Sequence, residues 1–154
     1  MIAVKSVINK IRKSGLTISF AVSCSGGNIA AEVIKISGVS DIFMGGVVTY
    51  SDEAKIDVLK LTKQDINKFG VVSEKIAFLM AKNSKELFKT SLSLATTGNV
   101  GPLSSDNISK VGEIYICLIF QEKIFHNKLN LKSTRDENIN KLVFEAFSLI
   151  DSVL

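Results

Sequence analysis

Histidine, tryptophan, proline and cysteine are nearly missing from these 154 residues: one His, no Trp, one Pro and two Cys. Each shortage removes a class of function. A single imidazole, His126, cannot build a histidine-rich metal site, and no cluster of carboxylates has the pattern of a magnesium site, so no metal is expected. Cys24 and Cys117 are too few and too isolated for a disulfide framework, and there is no C-x-x-C pair. No apolar run approaches the roughly 20 residues of a membrane helix. The stretch from Met1 to Lys10 lacks the continuous apolar core of a secretion signal, so the expectation is a soluble cytoplasmic protein with no membrane partner. The net charge of +4 comes from scattered lysines rather than a dense basic block, which reads as a solvated surface and not as a nucleic-acid partner.

What is present is an apolar fraction of 46%, enough for a substantial core in one domain spanning 1–154. Ile2, Val4, Val7, Ile8 and Ile11 recur at helical spacing, and Ser14-Gly15 ends that helix. Leu16 to Val22 reads as a strand, 28–36 as a helix, and Asp41 to Thr49 as a second strand, apolar enough to be buried on both faces. Ser51, Thr62 and Ser73 are placed to cap three further helices, the last running to about Lys89 with Ile76, Leu79, Met80, Leu87 and Phe88 inward. Ser91 to Thr96 is a third strand. The long polar connection from Thr97 to Lys110 follows, of a kind that is often functional. A hairpin, Val111 to Phe120 and Ile124 to Leu131, precedes a final helix that opens on the capping box Thr134-Arg135-Asp136-Glu137. This mixture predicts an α/β fold, a three-layer α/β/α domain with a mixed sheet.

Two strand-to-helix junctions hold candidate chemistry. In Ser23-Cys24-Ser25-Gly26-Gly27 a serine leaves the end of a strand, and the N–H groups around Ser25, Gly26 and Gly27 are available to an oxyanion. A small-residue turn with helix caps fits the same letters. In Tyr50-Ser51-Asp52-Glu53-Ala54-Lys55 a lysine lies one turn into a helix, where the dipole and burial both disfavour its charged form, as a Ser–Lys pair requires. A solvated surface lysine and a packing tyrosine are the plainer alternatives. Cys24 is a rival nucleophile with no imidazole partner in view and reads more simply as a buried thiol. Thr97, Gly98, Gly101 and Pro102 could cradle a phosphate or sugar. Arg135, set against the dipole of the last helix, could bind a phosphate.

These segments, in this order, resemble the CinA C-terminal domain family, the nicotinamide-nucleotide amidases. The matches are Ser23 to Gly27, Phe43 to Lys55, Gly70 to Glu74, Thr97 to Pro102, Val111-Gly112 and Arg135-Asp136. The resemblance implies hydrolysis of the carboxamide of nicotinamide mononucleotide to nicotinate mononucleotide and ammonia, in pyridine-nucleotide recycling and without a cofactor. It implies Ser23 as nucleophile, Lys55 as base, Tyr50 as assistant and Arg135 near the active site, in a stand-alone form of the domain. A homodimer is compatible with such a domain, although one chain reveals no interface. Departures from the family pattern are Val22 where an acid is usual, Ser25 for threonine, Asp52 for asparagine, Leu103 to Asp106 where glycines are common, and Lys110 for proline. The missing acid at Val22 is expected to bear on substrate binding or on the base. A nucleotide-binding or interaction module with weakened or lost chemistry is the alternative these departures motivate.

Overall fold

The computed structural model describes residues 3–154. Ile2, counted above on the first helix face, lies outside the described residues. Five strands form one sheet in the order β2-β1-β3-β4-β5. β1 (Ile18–Val22) runs parallel to β2 (Phe43–Val48) and to β3 (Leu92–Gly98). β4 (Glu113–Phe120) is antiparallel to β3 and to β5 (Lys123–Asn130). The sheet is therefore mixed, with its parallel part on one side and a hairpin on the other.

Helices cover both faces. Alternation along β1 sends Ile18, Phe20 and Val22 into one core and Ala21 into the other. The first core takes Val7, Ile8 and Ile11 of α1 (Val4–Lys13), Ile29 and Val33 of α2 (Asn28–Ile34), and Leu142, Phe147 and Ile150 of α6 (Arg135–Val153). The second takes Ile66 of α4 (Lys63–Phe69), and Ile76, Ala77, Met80 and Ala81 of α5 (Glu74–Phe88), with Leu59 and Leu61 from the segment after α3 (Asp52–Asp57). This is the three-layer α/β/α arrangement expected from the sequence.

The caps fall where the sequence puts them. Ser51, Thr62 and Ser73 each accept an N–H from the first turn of their helix, and Thr134 with Glu137 forms a reciprocal capping box.

Two expectations fail. β2 is not buried on both faces: it is an edge strand whose residues alternate in exposure, with Met44 and Val48 open to solvent. Its glycines explain the apolar reading, because Gly45 leaves room for Phe88, whose ring would lie 2.6 Å from an added Cβ. On α5, Ile76 and Met80 are buried as expected, but Leu87 is exposed, and Ala77, Ala81 and Ser84 complete the buried face. Small residues let that helix lie close on the sheet, where Ser84 Oγ donates to Ser19 Oγ at 3.3 Å.

Candidate active site

The carboxyl ends of β1, β2 and β3 open at the same edge of the sheet, the usual place for a ligand in an open α/β fold. Two bonds carry the ladder one residue past the strands. The N–H of Ser23 donates to Thr96 O at 3.1 Å, and that of Thr49 to Val22 O at 2.9 Å. Ser23 and Thr49 are thereby fixed beside each other. Tyr50 then leaves the sheet, and Ser51 accepts the N–H of Ala54 at 3.0 Å, starting α3. One turn later the side chain of Lys55 returns beneath this junction.

Lys55 is 1% exposed, which is rare for a lysine, and no carboxylate pairs with it within salt-bridge distance among the described residues. Its Nζ donates to Ser23 Oγ at 3.2 Å and to Thr49 O at 2.8 Å. Burial lowers its pKa below the ordinary 10.5, opposed by the nearby negative charge of Asp52 and by Cys24. The neutral amine keeps two N–H donors, one for Thr49 O, and offers a lone pair to the Ser23 hydroxyl. A serine next to a desolvated amine has the arrangement that a nucleophile and its base require.

Both groups line a cavity of about 550 Å³. Tyr50 and Arg135 form one wall: Arg135 Nη2 donates to Tyr50 Oη at 3.2 Å, and Nη1 donates to the carbonyl of Gly101. The loop between β3 and β4 forms the other. Asn99, 3% exposed, gives Nδ2 to Ser109 Oγ and Lys110 O and takes the Ser105 N–H and hydroxyl on Oδ1. Asn138 of α6 holds the same loop from below, donating to Val100 O at 2.9 Å.

Ser23, Lys55, Tyr50, Thr97, Gly98, Gly101 and Arg135 thus share one cavity. Two of them also have structural duties. Thr97 Oγ1 donates to Val71 O at 2.8 Å. Gly98 faces β4 so closely that an added Cβ would lie 2.6 Å from Glu113 O. Ser25, Gly26 and Gly27 are not part of the lining. Ser25 Oγ is bonded with Thr96 Oγ1 at 3.2 Å, and the Gly26 N–H closes on Ser23 O at 2.9 Å. In this turn the N–H groups of Cys24, Ser25 and Gly27 are given to no backbone carbonyl among the described residues. Val22 packs in the apolar core with Phe20 and does not line the cavity.

Cys24 lines the cavity, but burial pushes its thiol up to about 12, which leaves it a poor nucleophile. His126 stands elsewhere, 3.7 Å from Glu74. Asp52, Ser104, Ser105 and Asp106 are lining residues that the sequence reading did not name as site residues. Asp52 was signalled by its place one turn before Lys55, and the others by the length of their loop. Among the described residues no group of three or more His, Cys, Asp and Glu is poised for a metal, and no helix is long and apolar enough to cross a membrane.

The family model described as CinA C-terminal domain matches residues 2–154. A CinA-like protein of Flavobacterium psychrophilum is 40% identical over 135 residues, covering 88% of this chain and 32% of that protein. One from Kosmotoga olearia is 37% identical over 148 residues, covering 96% and 36%. The chain therefore spans about a third of the length of these curated relatives. Among solved structures, a competence-damaged protein (CinA) superfamily protein from Escherichia coli superposes with TM-score 0.93 at 21% identity, covering 99% of this chain and 91% of that one. The competence/damage inducible protein CihA from Agrobacterium tumefaciens does so with TM-score 0.91 at 27% identity, covering 97% and 92%.

Proposed function

We propose that this chain, which belongs to the CinA C-terminal domain family, is a Ser–Lys amidase that hydrolyses the carboxamide of nicotinamide mononucleotide to nicotinate mononucleotide and ammonia. The observation that carries the reading is the buried contact of Lys55 Nζ with Ser23 Oγ at 3.2 Å, in a cavity wide enough for a nucleotide.

Neutral Lys55 takes the Ser23 hydroxyl proton as Oγ attacks the carboxamide carbon. The carbonyl oxygen gathers negative charge, which the N–H of Cys24, the cavity-lining residue directly after the serine, is positioned in sequence to meet. Collapse of the tetrahedral adduct breaks the C–N bond, and the lysine ammonium returns its proton to the leaving nitrogen, releasing ammonia. The nicotinate ester of Ser23 remains. Lys55 then takes a proton from water, hydroxide adds to the ester carbon, and the Ser23 alkoxide leaves and regains the proton. Thr49 O holds the amine in place throughout, and Arg135, anchored by Gly101 and Tyr50, is the cation for the substrate's anionic end.

The test is ammonia release from nicotinamide mononucleotide by the purified chain, with Ser23→Ala beside it. Turnover by the parent alone is expected. Equal turnover by the folded Ser23→Ala variant excludes Ser23 as nucleophile, and none from the folded parent excludes the amidase.

A further inference from the structure

The nitrogen of a lysine can make hydrogen bonds in three directions. In Lys55 the neutral amine fills two of them: one N–H goes to Thr49 O at 2.8 Å, and the lone pair faces Ser23 Oγ at 3.2 Å. The second N–H has no acceptor among the described residues. Lys55 is buried, so this N–H has little access to bulk solvent.

Thr49 carries the matching group. It is 1% exposed, and its Oγ1 is buried with no hydrogen-bond partner among the described residues. A buried hydroxyl is costly unless something satisfies it. Packing alone does not call for one at this position. Val47, two residues earlier on the same face, packs against the second core, and a valine at 49 would have the shape of the threonine without the stranded oxygen. The carbonyl that takes the Lys55 N–H and the orphan hydroxyl belong to one residue. A water bound by the hydroxyl therefore lies within reach of the amine bound by the carbonyl. Such a water needs at least two polar partners, and Thr49 Oγ1 and the spare N–H of Lys55 provide them.

We propose that Thr49 is a positioning residue that holds Lys55 twice, directly by its carbonyl and through one buried water by its hydroxyl. Two directions of the amine are then fixed, and the third is left to face Ser23. The proton taken from Ser23 and the proton returned to the leaving nitrogen both travel along that third direction. This rests on the reading of Lys55 as the base of a Ser–Lys pair. The titratable groups around Lys55 are Asp52 on its own helix, Cys24 beside Ser23, and Asp106 and Arg135 in the same cavity, and the test leaves all of them in place.

Thr49→Val removes the hydroxyl but keeps the shape and the carbonyl, and Thr49→Ser keeps the hydroxyl. An acceptor for the remaining N–H favours the ammonium over the neutral amine, because hydrogen bonds from a charged donor are the stronger. Isotope-edited NMR titration of the lysine Cε atoms reads this directly, with the Lys55 signal identified by its loss in Lys55→Met. Lys55 is expected to lose its proton at a pH lower by about 1 in Thr49→Val, and at the parent's pH in Thr49→Ser. The plateau kcat for ammonia release should fall about tenfold in Thr49→Val at constant KM, and Thr49→Ser should recover most of it. Thermal unfolding verifies that both variants fold. A Thr49→Val titration that matches the parent, or a Thr49→Ser titration shifted as far as that of Thr49→Val, overturns the proposal. The titration needs no turnover. A folded parent that releases no ammonia therefore removes the amidase reading, while the Lys55 signal still decides the role of Thr49.

Discussion

Asn99 holds Ser105 twice, accepting its backbone N–H at 2.9 Å and its hydroxyl at 2.7 Å on a single oxygen. The other end of the same amide donates to Ser109 Oγ at 2.7 Å and to Lys110 O at 3.0 Å. One buried side chain therefore closes the loop that makes a wall of the cavity.

Asn99→Ala removes all four bonds and leaves their partners to find water. A loss of about 2–3 kcal/mol in unfolding free energy is expected, at the upper end for one residue because several groups are stranded together. Denaturant titration measures the loss. Limited proteolysis should cut first between residues 101 and 110. A variant as stable and as protease-resistant as the parent would show that the loop is held by something else.

The pH dependence of turnover reports on Lys55. Burial makes its charged form the costly one, so its pKa in the fold lies below 10.5, and activity rises as pH rises through that lowered value. Between the lowered value and 10.5 the unfolded chain binds more protons than the folded one, so stability also rises with pH across that window. Asp52 works in the opposite direction, favouring the ammonium. Asp52→Asn should move the ascending limb of kcat/KM to lower pH. A limb that stays in place assigns it to another group.

Arg135→Lys tests the wall opposite the loop. The guanidinium spans Gly101 O and Tyr50 Oη with two different nitrogens, which one ammonium cannot reproduce. KM for the mononucleotide should rise about tenfold with a smaller change in kcat, the signature of lost binding rather than lost chemistry. A fall in kcat at constant KM would instead put Arg135 in the transition state.

Local signals carried most of the architecture. Ser51, Thr62, Ser73 and Thr134 fixed four helix starts because a cap is a contact between near neighbours. Ser23, Tyr50 and Lys55 could be grouped because each stands at a strand end or one turn past it, and parallel strands bring such ends together. What stayed hidden depends on neighbours distant in sequence. The edge position of β2 follows from strand order, which the letters Phe43 to Val48 do not contain. The inward turn of Ser84 and the outward turn of Leu87 depend on how closely α5 approaches β1. The use of Ser25 and Gly26 behind the serine, rather than in the cavity wall, depends on Thr96 across the sheet. The hydrogen bonds that Asp106 Oδ1 accepts from Ser104, Ile108 and Ser109 lie within one loop, yet no periodicity announces them.

The serine and the lysine are rooted unequally. Ser23 continues a strand flanked on both sides, whereas Lys55 is reached from the outermost strand, paired along one side only. Outer strands open at lower cost than central ones. As the protein is warmed, the base should therefore lose its register with the nucleophile while most of the sheet is still intact. Catalytic competence would then be a property of the margin of this molecule, and its heat tolerance would fall short of the melting point of the fold.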